Sequence, residues 1–179
     1  LTDPSSMKLL AFGASTSSTS TNRQLANFVA QSVPGATVTE LDLRQFQLPI
    51  YSSDEEASNG IPADAQAFKD LIARHEGIVV SLAEHNGSYT AAFKNLYDWV
   101  SRIDQNVWSG KPMLLMASSP GERGGASVLE AARATFPRMG ADIKASFSFP
   151  SFYDNFSEAG ISDETLVAQL SQAVLEFSS

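Results

Sequence analysis

The chain has no cysteine. That excludes disulfides, thiolate catalysis, iron–sulfur clusters and Cys-ligated zinc. It has two histidines, His75 and His85, too few for a multi-histidine metal centre, so no metal is expected. Cations are scarce: 12 Lys and Arg stand against 20 Asp and Glu, a net charge of −8, which argues against a nucleic-acid partner. No apolar run approaches the length of a membrane span, and no signal-peptide pattern is present. A cytoplasmic protein with no membrane partner is therefore expected. The six residues ahead of Met7 read as a cloning remnant, and residues 7–179 as one domain long enough for a substantial core.

What is present is a hydroxyl-rich run, Gly13 to Asn22, reading GASTSSTSTN. It follows the apolar segment Leu9–Phe12 and precedes Leu25, Phe28, Val29 and Ser32, which share one helical face. A loop of this kind, between a strand and a helix N-terminus, suits a phosphate: backbone N–H groups and the positive helix end attract the anion, and hydroxyls add donors. The run lacks the Lys of a P-loop and the spacing of a dinucleotide fingerprint, which points to a phosphate monoester held without metal. On the run alone a second reading stays open, a surface turn with an ordinary helix N-cap at Thr21 or Asn22.

Strand and helix patterns alternate along the chain. Strands are expected over 7–12, 37–43, 77–82, 112–117 and 143–149, and helices over about 22–32, 63–75, 90–103, 125–139 and 163–177, with a long polar loop over 44–62. The pattern predicts an α/β fold. Its centre is a five-stranded parallel sheet of order 2-1-3-4-5, with helices on both faces of a three-layer sandwich. Neither an internal repeat nor a linker divides it. In such sheets ligands bind beyond the C-terminal strand ends, where strands one and three diverge. The loops after strands one, three and four should then carry the site. They are Gly13–Asn22, Ala83–Thr90 and Ser118–Gly125, all rich in Gly, Ser or Asn.

In these loops the chain resembles the NAD(P)H-dependent FMN reductases, a flavodoxin-like family that includes quinone, azo and chromate reductases. Gly13, Ser15, Ser20, Asn22, Arg23 and Leu25 match the family's G-S-x-R-x-x-S-x-N-R-x-L loop. The second motif appears as Glu84, Asn86, Gly87 and Ser88, followed by Lys94-Asn95, Asp98-Trp99 and Ser101-Arg102. The third appears as Ser119, Gly121, Gly124 and Gly125. The chain departs from the pattern at three positions. Ser17 stands where relatives carry Arg, Ala83 where they carry Pro, and His85 where they carry Tyr.

The resemblance implies FMN as cofactor and NADPH or NADH as reductant. Ser15, Ser17, Ser20, Thr21 and Asn22 would hold the phosphate. Ala83, Glu84, His85, Asn86 and Gly87 would meet one edge of the isoalloxazine, and Ser119, Gly121, Gly124 and Gly125 the dimethylbenzene or ribityl side or the pyrimidine edge. No side chain is assigned as catalytic, because the flavin carries the chemistry: hydride passes from the nicotinamide to flavin N5, and electrons then go to a small acceptor such as free flavin, a quinone or an azo compound. A homodimer is implied, with a tetramer as the larger assembly. The alternative is a flavodoxin-like electron carrier or regulatory protein without NAD(P)H oxidation. Among individual residues, His75 is read as structural, Glu84 as a salt-bridge or subunit-contact residue, Arg123 as solvated, and Lys94–Asp98 as a helical ion pair.

Overall fold

Lys8–Ala14 form β1, buried from Leu9 onward, and the strand sits at the centre of the molecule because both of its faces are covered. In this computed structural model, which describes residues 7–179, β1 is followed by α1 (Thr21–Gln31), β2 (Thr37–Leu41), α2 (Ser53–Asn59), α3 (Ala63–Arg74), β3 (Gly77–Leu82) and α4 (Ala91–Ile103). Then come β4 (Pro112–Ser118), α5 (Ala126–Thr135), β5 (Asp142–Phe149), α6 (Phe152–Asn155), the two-residue strands β6 (Phe156–Ser157) and β7 (Gly160–Ile161), and α7 (Glu164–Ser178). Short 3-10 turns cover Leu43–Gln45 and Phe136–Met139. The six residues read above as a remnant lie outside the described residues.

The sheet is parallel throughout, in the order β2-β1-β3-β4-β5 expected from the sequence. Side chains alternate across it. Leu10 and Phe12 of β1 join Phe68, Ile72, Phe93, Leu96 and Val128 on the face covered by α3, α4 and α5. Leu9 and Ala11 join Leu25, Val29, Leu170 and Phe177 on the face covered by α1 and α7. At about 25 cal/mol per Å² of apolar surface removed from water, these two layers supply the main driving force for the fold.

Two expectations need correction, and one segment carried no expectation. The segment 44–62 is not all loop: α2 lies within it, started by Ser52, whose Oγ accepts from the Glu55 N–H. The helix expected over 125–139 ends at Thr135, and Pro137 sits in the 3-10 turn that follows, since proline cannot donate to a continuing helix. The chain between β5 and α7 holds α6 and the β6–β7 hairpin, too short to leave a periodic signal.

Candidate active site

The cradle begins with a close approach. A Cβ on Gly13 would lie 2.2 Å from the Arg23 backbone N and 2.7 Å from the Asn22 carbonyl carbon, so only glycine lets the first turn of α1 rest on the end of β1. The N-cap of α1 is Ser20, not Thr21 or Asn22: its Oγ accepts from the Arg23 N–H at 3.1 Å. The loop before it is shaped by its own hydroxyls, with the Ser17 N–H donating to Ser15 Oγ (3.1 Å) and the Thr19 N–H to Ser17 Oγ (3.3 Å). The N–H groups of Thr21 and Asn22 are left without an acceptor among the described residues. At a helix N-terminus such free donors are an anion site.

Asn22 does something the sequence does not reveal. Its amide is buried, 3% exposed, donating from Nδ2 to the Ser118 carbonyl (3.2 Å) and accepting from Ser81 Oγ (2.6 Å). The side chain therefore ties α1 to β3 and β4, and only its backbone N–H remains for a ligand. Arg23, beside it, reaches the Ser18 carbonyl (3.1 Å) and Asp42 (2.5 Å), bracing the cradle against the turn that follows β2.

The second loop is a tight hairpin. His85 and Ser88 exchange backbone hydrogen bonds at 2.9 and 3.1 Å around Asn86 and Gly87, both at positive φ (52° and 78°), as an Asn-Gly turn requires. Thr90 Oγ1 donates to the Ala14 carbonyl at 2.9 Å and accepts from the Phe93 N–H, locking this loop to the first while capping α4. Glu84 is neither a salt bridge nor a free base. Its Oε1 accepts from the Val128 N–H at 2.8 Å, so the N-terminus of α5 absorbs its charge.

In the third loop Gly124 and Gly125 are buried. Both have positive φ, and added Cβ atoms would meet Ser148 Oγ at 2.5 Å and the Ala117 Cβ at 2.9 Å. These glycines seat the loop on β5 and β4. Gly121 and Ser119 lie further out, and Arg123 is exposed, its guanidinium donating to Ser127 Oγ.

All three loops line one cleft of about 200 Å³ at the C-terminal edge of the sheet. Ser15, Ser17, Ser20, Thr21, Asn22, Ala83, Glu84, His85 and Ser119 meet there as expected. Asn86, Gly87, Gly121, Gly124 and Gly125 do not line it. Sequence reasoning missed Thr19, Ser118, Pro120 and Tyr153. The order of the strands already placed the segment after β5 at this edge, which was the available signal for Tyr153. Larger hollows exist, about 430 Å³ beside Arg44 and about 570 Å³ between α1 and α7, but neither joins the three loops.

The donor set suits a flavin phosphate. Thr21 and Asn22, with free helical N–H groups, and the hydroxyl residues Ser15, Ser17 and Ser119 line the cleft, and its one carboxylate, Glu84, already accepts from the Val128 N–H. Among the described residues no helix is long and apolar enough to cross a membrane, and no group of His, Asp and Glu is placed to hold a metal ion.

Comparison with known proteins bears on the family and the fold. The model of the NADPH-dependent FMN reductase family matches residues 7–154. A quinone reductase of Escherichia coli (strain K12) is 31% identical over 102 residues, 55% of this chain and 54% of that protein. A 2-hydroxy-1,4-benzoquinone reductase of a Burkholderia species is 36% identical over 105 residues, 58% of this chain and 55% of that protein. The chain thus aligns with about half the length of the curated relatives it matches. Among solved structures, the flavoenzyme NAD(P)H:(acceptor) oxidoreductase of Paracoccus denitrificans superposes with a TM-score of 0.79 at 23% identity, covering 96% of this chain and 95% of that one.

Proposed function

The chain belongs to the NADPH-dependent FMN reductase family, and on that premise we propose that it binds FMN in the three-loop cleft and uses NAD(P)H to reduce a small acceptor of the quinone class. The observation that carries this reading is the pair of free N–H groups, Thr21 and Asn22, opening onto a cleft that the second and third loops also line. When bound, FMN supplies the redox chemistry.

The chain's own part is binding and orientation. The α1 N-terminus and the hydroxyls of Ser15 and Ser17 hold the phosphate. Asn86 and Gly87 stand outside the cleft lining; their N–H groups, free of acceptors among the described residues, would meet the polar edge of the ring only where it extends past the cleft. Glu84 positions the second loop against α5 rather than moving a proton. His85 is exposed and lines the cleft, where it would stand near the flavin face.

We further read the chain as a homodimer. Ile50 is 86% exposed at the tip of a loop that Asn95 and Trp99 hold firmly against α4. A single exposed isoleucine is ordinary on a monomer, so the dimer reading is carried by the family resemblance, and Ile50 marks where the contact would fall. Sedimentation at micromolar concentration should give twice the mass of the chain.

The test of function is an absorbance spectrum of the purified protein after incubation with FMN, followed by anaerobic titration with NADH and NADPH and re-oxidation by a benzoquinone. Flavin bands that bleach with either nucleotide and return with the quinone are expected. A protein that stays colourless after FMN, or a bound flavin that neither nucleotide bleaches, refutes the reading.

A further inference from the structure

Tyr153 lines the cleft with Ser15, Ser17, Thr21 and Ser119, yet it is 70% exposed and its hydroxyl has no hydrogen-bond partner among the described residues. Its backbone, by contrast, is fixed. The Ser151 N–H donates to the Gly121 carbonyl (2.9 Å) and the Phe152 N–H to the Ser119 carbonyl (3.1 Å), which staples the end of β5 to the third loop. Ser151, the residue that starts α6, takes a φ of 47°, a left-handed conformation uncommon for serine. Phe152 is buried; it stacks on Phe156 at 4.8 Å and meets the Tyr153 ring edge-on at 5.5 Å. Phe156 in turn packs edge-on against Phe28 of α1 at 5.4 Å. The segment is thus tied to the third loop and to the helix whose N-terminus forms the cradle.

The cleft contains no Lys or Arg. A phosphate dianion there must be held by neutral donors and the helix end. A phenol hydroxyl is such a donor, and its ring loses only two torsions on binding.

We propose that Tyr153 is a positioning residue for the phosphate end of FMN, closing the cradle from the β5 side with its hydroxyl donated to the phosphomonoester. This rests on the FMN-binding reading above. The test measures the binding of FMN and of riboflavin, which lacks the phosphate, to wild type, Tyr153→Phe and Tyr153→Ala by quenching of flavin fluorescence. For Tyr153→Phe, FMN affinity should fall about tenfold, the scale of one hydrogen bond to a charged group, while riboflavin affinity stays at the wild-type value. Tyr153→Ala should lose at least as much for FMN. Unchanged FMN affinity in Tyr153→Phe overturns the proposal. An equal loss for both ligands also overturns it, because the hydroxyl would then act on the ring system or on the fold. Wild type that binds neither flavin overturns the functional reading itself, an outcome visible before any variant is compared.

Discussion

Asn22 shows how far a residue's type can mislead about its work. Asparagine at the start of a helix beside serines suits a phosphate ligand, and its spacing agrees with the family motif. The side chain instead bridges Ser81 Oγ and the Ser118 carbonyl beneath the sheet edge. Sequence gives the spacing but not which way an amide turns, because the partners come from β3 and β4, far away in the chain. Asn22→Ala should therefore act on stability first. It leaves a buried hydroxyl and a buried carbonyl without partners, costing about 2 kcal/mol and lowering a urea midpoint by about 1 M. An unaltered midpoint would show that the bridge contributes nothing. Asp42 gives a second prediction at this scale. Hydrogen bonds from the Arg44 side chain hold its carboxyl at about 2, with the Arg23 charge adding to the effect and partial burial opposing it. A lowered carboxyl pKa stabilises the fold above its ordinary value of 3.8, and the contribution is lost as pH falls through about 2. A carbon-detected NMR titration should find the Asp42 carboxyl ionised at pH 3. Asp42→Asn should flatten the acid limb of the stability curve.

At the scale of elements, the most specific sequence motif turns out to be a clamp. On α4, the Asn95 Nδ2 donates to the Pro49 carbonyl (3.0 Å) while its Oδ1 accepts from the Tyr51 N–H (2.9 Å). Trp99 Nε1 donates to the same Pro49 carbonyl at 2.7 Å, and Arg102 pairs with Glu56 of α2. Only the Lys94–Asp98 pair is the exposed i,i+4 contact that its spacing suggests, worth a few tenths of a kcal/mol. One face of α4 therefore secures the excursion between β2 and α3, and none of Asn95, Trp99 and Arg102 lines the three-loop cleft. Asn95→Ala should speed amide exchange over residues 46–52 by about tenfold, through loss of two hydrogen bonds from an otherwise irregular loop, while cradle amides such as Ala26 keep their protection. Equal acceleration in both regions would mean that the clamp supports the whole fold rather than one loop. The helix it grips was legible in part. Ser52 followed by Glu55 is a capping-box spacing, and Asp54, Glu55 and Glu56 suit a first turn, but with no buried residue the helix shows no apolar face to detect. α6 and the β6–β7 hairpin are shorter than any periodicity, so their residues reveal themselves only through contact with α1 and the third loop.

For the molecule as a whole, strand order was readable because five apolar runs alternate with helical faces, and right-handed crossovers leave few ways to connect them. That order brings the ends of β1, β3 and β4 to one edge and so makes the cleft a property of topology before it is one of any residue. The loops are cross-linked there: Thr90 to Ala14, Glu84 to Val128, Asn22 to Ser118, and Phe152 to Ser119. A ligand that contacts all of these loops binds only the folded chain, so its binding energy adds to the stability of the entire sheet rather than of one segment. At one hundred times its dissociation constant such a ligand contributes about 2.7 kcal/mol. For a domain of this size that corresponds to a rise in melting temperature of about 5–10 °C. Riboflavin, without a phosphate for the α1 N-terminus, should give a smaller rise at equal concentration. Inorganic phosphate, which reaches the cradle alone, should give a smaller one still. Calorimetry with the three ligands measures this ordering directly. If riboflavin matches FMN, the hydroxyl-rich run between β1 and α1 is a helix-capping turn and not a phosphate site.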